Sequence, residues 1–368
     1  MNDQETTSSV ATVHRIDQIT AGWLSEALRG AGFERATVSD FEISRVGTGQ
    51  AAICCRIGLQ YENPQSSLPK SIVAKFPAED SASREAGKNN GTYLREVNFY
   101  RLLRDRLLIR TPRCYFAQIN ADGPEFALLL EDLAPAEQGD QIRGCSPTFV
   151  RAAVLNLVGL HAPSWQNSSM LSLNWLGSSN RPGRSKSIMQ IYKKGLPLFL
   201  ERCADGLSVE ETKLLRRIAE EEDYPSEFPL IKNYCLTHND FRADNMLVDE
   251  SRGMASLHVV DWQTFGVGNP MKDVSYFVGG CLLPEQRLAF EQEIVREYHQ
   301  RMLGSEVKDY DWETCWSDYR RFSFHGIMMA VAGMMFVTKT ERGDRLFSVM
   351  AQRHTRQALD VGAHEFLG

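Results

Sequence analysis

The chain lacks the signatures of several protein classes. It carries eight cysteines but no C-x-x-C pair and no matching histidine spacing, which argues against a zinc site and for buried free thiols in a reducing compartment. Its longest apolar run, residues 327–337, is well short of the ~20 residues a membrane span requires, so a buried helix is expected there and no membrane partner. There is no basic block: 41 Lys and Arg stand against 47 Asp and Glu, a net charge of −6. That distribution excludes tracking of a phosphate backbone, and nucleic acid is not an expected partner. The opening residues, MNDQETTSSVAT, offer neither a basic nor an apolar leader region, so no secretory signal is expected and the location is read as cytoplasmic. Internal repeats and low-complexity segments are absent too.

What is present describes a globular α+β protein. At 368 residues, 43% hydrophobic and 24% charged, the chain suits two lobes, each burying its own core. Residues 1–15 read as a disordered tail, 16–131 as an N-terminal nucleotide-binding lobe with a leading helix, and 132–368 as a mainly helical C-terminal lobe. In the first lobe, AGWLSEALRGAGF has helical spacing and closes in glycine. FEISRVG, AAICCRIGLQY and SIVAKFP follow as an antiparallel meander, then TYLREVNFYRLLRDRL as one helix, then RCYFAQI and EFALLLEDL as strands flanking a turn at Asp122-Gly123. Five strands and one inserted helix result. In the second lobe Ser146-Pro147 supplies an N-cap and an N1 proline. Helical spacing continues over about 185–204, 208–222, 284–303, 312–338 and 341–366, interrupted by two short strands, NMLVD and SLHVVDW.

The densest chemical signal is THNDFRADNMLVD followed by HVVDWQ. Phosphoryl transfer needs one carboxylate to orient the acceptor hydroxyl, and a second carboxylate with an amide oxygen to hold the magnesium that bridges the phosphates. Asp240, Asp261 and Asn245 meet those needs, and Mg²⁺ accepts an Asn and Asp pair readily. Arg242 and Asp244 on the same loop are explained by a solvated turn. Upstream, Gly47 and Gly49 form a G-x-G turn whose N–H groups suit phosphates, although a plain tight turn is the competing reading. Lys75 lies in an apolar strand and Glu96 on the next helix, the order in which a phosphate-binding lysine and its glutamate partner occur in kinases. The alternative is an edge lysine and a solvated helix face. Backbone groups over residues 131–133, from Glu131 to Leu133, end an apolar strand where adenine would bind.

The pattern H-x-D-x-x-x-x-N followed by V-V-D-W resembles the aminoglycoside phosphotransferase and choline kinase superfamily, which has a protein-kinase-like two-lobe fold. The resemblance implies that Asp240 is the catalytic base, that Asn245 and Asp261 are metal ligands, and that His238 braces the loop. Asn239 stands where glycine is usual, and Trp262 and Gln263 replace the Phe-Gly of protein kinases. GVGNPMKDVSYFV is similar to the superfamily's G-x-P-x-x-D segment, which makes Asp273 a brace for the loop or, alternatively, an ordinary helix N-terminal aspartate. TPRCYFAQ, LLLEDLAPAEQGDQ, LVGLHAPSW and DVSYFVGGCL together resemble the bacterial branch related to ecdysteroid kinases. His161 reads as a buried helix histidine, and the role of Asp140 is open. Met328, Met329, Met334 and Met335 read as core, or as the wall of an apolar acceptor site.

These readings predict an ATP- and Mg²⁺-dependent kinase that phosphorylates a small-molecule alcohol, acting as monomer or homodimer. Two alternatives stand beside it: a catalytically silent nucleotide-binding protein, motivated by the incomplete glycine loop, and an aminoglycoside O-phosphotransferase, for which EEEDY and DYDWE would supply acidic groups.

Overall fold

Alternation of apolar residues in three successive runs builds the first sheet. The computed structural model of the chain describes residues 13–47, 52–121, 123–178, 183–227 and 232–368, which divide into two compact units. The first comprises residues up to Arg104 together with Thr111–Ala134, and the second Asp105–Arg110 with Pro135–Gly368.

The first unit is a five-stranded antiparallel sheet: β1 (Val38–Arg45), β2 (Ala52–Tyr61), β3 (Ser71–Pro77), β4 (Cys114–Ile119) and β5 (Phe126–Glu131) in the order β1-β2-β3-β5-β4. β4 and β5 form the expected hairpin; Asp122 of its turn lies outside the described residues. The leading helix α1 (Ala21–Gly30) starts at Thr20, whose hydroxyl accepts from Trp23 N at 3.1 Å. It buries Trp23, Leu24 and Leu28 against Ile57, Ile72, Phe76, Phe116 and Leu129. A helix absent from the sequence reading, α2 (Ser81–Asn89), precedes α3 (Thr92–Asn98). Its residues are mostly polar, and the Asp80 carboxylate caps it from Ser83 N at 2.7 Å, so capping rather than an apolar stripe announces it. α3 continues as a π-helical turn over Phe99–Leu103 and a 3₁₀ turn over Arg104–Arg106. Tyr93 packs its ring on Phe126.

The second unit is mainly helical, with α4 (Pro147–Ser164), α5 (Ser168–Leu171), α6 (Arg184–Cys203), α7 (Val209–Ile218), α8 (Met271–Cys281), α9 (Pro284–Gly304), α10 (Trp312–Phe322), α11 (Phe324–Gly333) and α12 (Glu341–Asp360). Ser146 caps α4 from Phe149 N, with Pro147 at its first position as expected. The single helix read over 312–338 is broken at Ser323, whose hydroxyl donates to Arg320 O at 2.7 Å. Such back-bonding competes with the helical ladder. Beyond the break, Met334 is buried and Met328, Met329 and Met335 pack against the same core as Phe199, Leu215, Tyr224 and Met350. Short strands β6 (Glu137–Gln138), β9 (Met246–Val248) and β10 (His258–Val259) make one three-stranded sheet; β7 (Gly177–Ser178), β8 (Cys235–Thr237) and β11 (Gly266–Gly268) make another. These small sheets carry the loops on which Asp240, Asn245 and Asp261 sit. No helix among the described residues is long and apolar enough to cross a membrane.

Two histidines are enclosed in this core. His354 on α12 stacks on Tyr276, and burial pushes its pKa down to about 3; burial likewise lowers His325 on α11. The unfolded chain takes up these protons near the ordinary histidine value of about 6.5. A depressed histidine pKa means that the unfolded state binds more protons below that value, so stability falls as pH drops from 6.5 towards 3. Each histidine adds up to about 1.4 kcal/mol per pH unit. Urea unfolding at pH 7.5, 6 and 5 should show the midpoint falling, and His354→Gln should make that fall shallower. A midpoint constant over this range contradicts the assignment.

Candidate active site

In the first unit the structure brings Lys75 and Glu96 together. Lys75 lies on β3, an interior strand between β2 and β5, and not at an edge. Its Nζ meets Glu96 Oε1 at 2.8 Å and Oε2 at 2.6 Å, with both side chains buried. The solvated readings of these two residues are therefore set aside. Gly47 has φ +76°, a left-handed conformation that glycine adopts without strain. With Arg45, Val46, Ala52, Cys54 and Asp80 it lines a cavity of about 290 Å³. Gly49 lies outside the described residues. At the end of β5 the Glu131 N–H is spent on Arg113 O at 2.8 Å, and its carboxylate accepts from Arg113 N. Leu133 makes no backbone hydrogen bond among the described residues, so of the two expected adenine contacts only Leu133 has its N–H available. Asp132 between them is the anchor. It accepts from Arg56 Nε and Ser71 Oγ at 2.6 Å and from Ala134 N at 3.1 Å. Burial would raise its carboxyl, but these donors, Arg56 above all, hold it below the ordinary range.

In the second unit the loop after β8 is fixed by Asp273, in the first turn of α8. Its Oδ2 accepts from His238 N at 2.7 Å and from His161 Nε2 at 3.3 Å, and its Oδ1 accepts from Asn239 N at 2.8 Å. Burial alone would raise this carboxyl; the His161 hydrogen bond and its neighbours keep it below the usual carboxylate range. His161 is buried, as read, and its Nδ1 pairs with Tyr298 Oη at 2.7 Å. His238 accepts from Asp240 N at Nδ1, 3.3 Å, and its Nε2 faces Val260 O at 3.1 Å, which fixes the Nε2–H tautomer and suits a brace. Asn239 replaces glycine at φ +65°, a conformation in which Asn is several-fold enriched. Its amide donates to Thr264 O at 2.9 Å, and its own carbonyl faces His325 Nε2 at 2.9 Å.

Asp240 is half-buried and oriented by three donors: Tyr276 Oη on Oδ1 at 3.2 Å, and Arg242 Nε at 3.2 Å and Asn245 Nδ2 at 3.1 Å on Oδ2. Arg242 also pairs with Asp244, which is 5% exposed and accepts Gln141 N at 3.0 Å. The solvated turn expected for Arg242 and Asp244 is thus corrected: the two form an ion-pair chain with Asp240 in which Asp244 is buried and Arg242 half-buried. Burial disfavours the Arg242 charge, yet Asp240 and the neighbouring acids hold its pKa above the ordinary guanidinium value.

Asn245 and Asp261 sit at one end of the β9–β10 hairpin. Met246 pairs with Val259, and Val260 N donates to Asn245 O at 3.0 Å, so Asp261 follows one residue beyond. Because Asn245 Nδ2 is committed to Asp240 O (2.8 Å) and Oδ2, its amide presents oxygen, the atom a hard cation prefers. Asp261 has φ +66°. Among the described residues no three His, Cys, Asp or Glu side chains cluster as a metal site. One carboxylate with one amide oxygen nonetheless fits Mg²⁺, which keeps waters and phosphate oxygens as its other ligands.

Four residues of this site were not assigned to it from sequence. Tyr276 lies three residues after Asp273, so helical spacing was a usable signal. Gln141 supplies Oε1 to Ala243 N at 2.8 Å, and Gly139 approaches so closely that an added Cβ would stand 2.5 Å from Ala243 O. This gives the GDQ run a structural reason. His325 and Arg353 come from distant helices with no local signal. Asp140 closes its own turn, accepting from Ile142 N at 2.9 Å and Arg143 N at 3.2 Å. With Ile142, Arg143, Glu341, Arg342 and Arg345 it lines a groove of about 480 Å³, in which Arg342 reaches Asp244 at 3.6 Å.

Residues 47–309 match the model of the ecdysteroid kinase-like family. No curated protein matches the chain. Among solved structures, a candidate aminoglycoside phosphotransferase from Ralstonia eutropha JMP134 is 14% identical with a TM-score of 0.54, covering 92% of this chain and 98% of its own. A mutant aminoglycoside 2′-phosphotransferase-IIIa in its GDP complex is 13% identical with a TM-score of 0.52, covering 91% and 97%. A Plasmodium vivax ethanolamine kinase is 10% identical with a TM-score of 0.49, covering 90% and 86%. At these identities the first two establish a shared protein-kinase-like fold.

Asp273→Asn turns an amide group towards three donors and leaves at least one of the His238 and Asn239 N–H groups unpaired. The expected loss is about 1–3 kcal/mol per orphaned group, seen as a lower urea midpoint. Tyr276→Phe, which removes a single hydrogen bond, should cost about 1 kcal/mol or less. Equal effects for the two variants would show that Asp273 is no brace.

Proposed function

This chain belongs to the ecdysteroid kinase-like family, and we propose that it is an ATP- and Mg²⁺-dependent kinase that transfers the γ-phosphate to a hydroxyl of a small molecule. The observation that carries this reading is the Asp240 carboxylate, held by Tyr276, Arg242 and Asn245 on a loop pinned by Asp273. A carboxylate fixed in this way accepts the hydrogen bond of an acceptor hydroxyl, orients its oxygen towards the γ-phosphorus and takes its proton as the new P–O bond forms. The bond between the γ-phosphorus and the bridging oxygen breaks, and ADP leaves. Asn245 and Asp261 would hold Mg²⁺, which supplies neutralising charge to the phosphates. Lys75, positioned by Glu96, serves the α- and β-phosphates, and the Gly47 turn offers backbone N–H groups to them. The Leu133 backbone, without a hydrogen bond among the described residues, suits the adenine edge.

The second unit's groove bears on the acceptor. Arg143, Arg342 and Arg345 line it, and Arg342 connects through Asp244 and Arg242 to Asp240. Against these three guanidinium groups stand two carboxylates, Asp140 and Glu341, so the groove has no acidic surplus for a polycation, which favours a small alcohol without multiple positive charges over an aminoglycoside. Met334 is buried and Met328, Met329 and Met335 are half-buried against the same core, so core packing accounts for these methionines.

The test is ADP release by purified protein with Mg·ATP across alcohols, choline, ethanolamine and kanamycin. Turnover on at least one alcohol is expected, with a roughly 10²–10⁴-fold loss in Asp240→Asn, and kanamycin should not be phosphorylated. Turnover unchanged by Asp240→Asn overturns the mechanism. Mg·ATP binding by calorimetry with no turnover on any acceptor supports a silent nucleotide-binding protein instead.

A further inference from the structure

Cys145 and Cys281 are paired in space although 136 residues separate them (281 less 145). Cys145 N donates to Cys281 O at 2.7 Å. With standard bond lengths that contact keeps the two Cα atoms no more than about 6.6 Å apart, inside the span of about 4.4–6.8 Å that a disulfide bridges. Cys145 is half-buried at the start of the segment that leads into α4, and Cys281, the last residue of α8, is fully buried. The Cys281 thiol, with Arg353 and Arg143 nearby, lowers the Cys145 pKa against the effect of burial, while burial pushes the Cys281 thiol up. The less buried of the two cysteines is therefore the one whose thiol ionises more readily, as an attacking thiol requires.

The pair is joined to the catalytic loop through one residue. Cys281 Sγ donates to Gln141 Oε1 at 3.3 Å, the same oxygen that receives Ala243 N at 2.8 Å, and Gln141 N donates to Asp244 Oδ1 at 3.0 Å. Arg353 clamps the Gln141 and Gly280 carbonyls at 2.8 and 2.7 Å. The Gln141 contacts thus fall between Asp240 and Asn245 in the chain. A bond to Cys145 would take the Cys281 proton away and draw its sulfur off Gln141.

We propose that Cys145 and Cys281 form a reversible disulfide that loosens the catalytic loop through Gln141. With hydrogen peroxide as oxidant, the Cys145 thiolate attacks one peroxide oxygen. An S–O bond forms, the O–O bond breaks, and the departing hydroxide takes the proton that the thiol lost, leaving as water. Cys281 then attacks the sulfenic sulfur; the S–S bond forms, the S–O bond breaks, and its hydroxide leaves as water with the Cys281 proton. Two thiols are oxidised and one peroxide is reduced to two waters. A dithiol reductant reverses the bond.

The test uses the full-length protein, reduced, treated with hydrogen peroxide, blocked with N-ethylmaleimide and digested with trypsin. Cleavage after Arg143, Arg151, Lys272 and Arg287 isolates peptides 144–151 and 273–287. Their linked mass is the expected major product, lost on adding dithiothreitol and absent from Cys145→Ser. Only the effect on turnover rests on the proposed kinase activity: oxidation should lower it about five-fold, the equilibrium worth of one hydrogen bond, with recovery in dithiothreitol and no response in Cys145→Ser. Hydrogen exchange of peptides covering 240–245 reads the same coupling without activity and should accelerate on oxidation. Absence of the linked mass overturns the disulfide whatever the enzyme does. A linked mass with unchanged exchange in the loop overturns the regulation, and a linked, loosened protein that never turns over ATP indicts the kinase reading alone.

Discussion

A single buried carboxylate organises the second unit. Asp273 receives three donors from two parts of the chain: the backbone of His238 and Asn239, and the ring of His161. Only an ionised carboxylate can accept all of them, and taking such a charge from water costs several kcal/mol unless its lone pairs are satisfied. The cost becomes specificity, because no other arrangement of the β8 loop offers the same donors. α8 carries Asp273 in its first turn and Tyr276 one turn later, so the element that fixes the loop backbone also fixes the Asp240 side chain. His161 extends the tie to Tyr298 on α9. Position along one helix thereby becomes position of the Asp240 carboxylate.

Charge elsewhere follows the same rule of compensation. Lys272, beside Asp273, is fully enclosed and pairs with Glu227, which Arg184 Nε also reaches at 2.9 Å. Burial opposes ionisation of Glu227, but Lys272 and Arg184 hold its carboxyl down to about 2. In the first unit Lys75 and Glu96 form a second enclosed pair on the interior strand β3. Removal of one member from such a pair leaves an uncompensated charge and costs more than the pair itself contributes. The pairs therefore work as locators. Arg242 shows the principle most directly, because its guanidinium spans Asp240 and Asp244 and fixes the separation of two like charges that would otherwise repel.

Legibility in sequence tracked locality. Asp240, Asn245, Asp261 and Asp273 lie on one stretch with fixed offsets, and Lys75 precedes Glu96 by a strand end and a helix, so order alone was informative. The burial of Asp244 was not legible, since its partners Gln141 and Arg342 lie about a hundred residues away on either side. The occupied Glu131 N–H was not legible either, because its partner, Arg113 O, lies just before β4, eighteen residues upstream. The run over 312–338 has helical periodicity throughout, and only the Ser323 hydroxyl and an outside donor, Tyr224 Oη to Phe324 O at 2.8 Å, mark where it divides. Periodicity registers which face is apolar and is blind to such interruptions.

Two residues with left-handed backbones bound the chemistry, Asn239 at φ +65° and Asp261 at φ +66°. Neither is glycine, so each carries a conformational cost of order 1–3 kcal/mol that the surroundings must offset. For Asn239 the compensation is visible: its N–H, side chain and carbonyl all have partners, in Asp273, Thr264 and His325. A glycine there would reach the same φ more easily but would forfeit the Thr264 contact, which ties the loop before Asp240 to the segment just after Asp261. Asparagine at this position is thus a cross-brace between the two halves of the site, and it removes freedom that a glycine would leave to the loop.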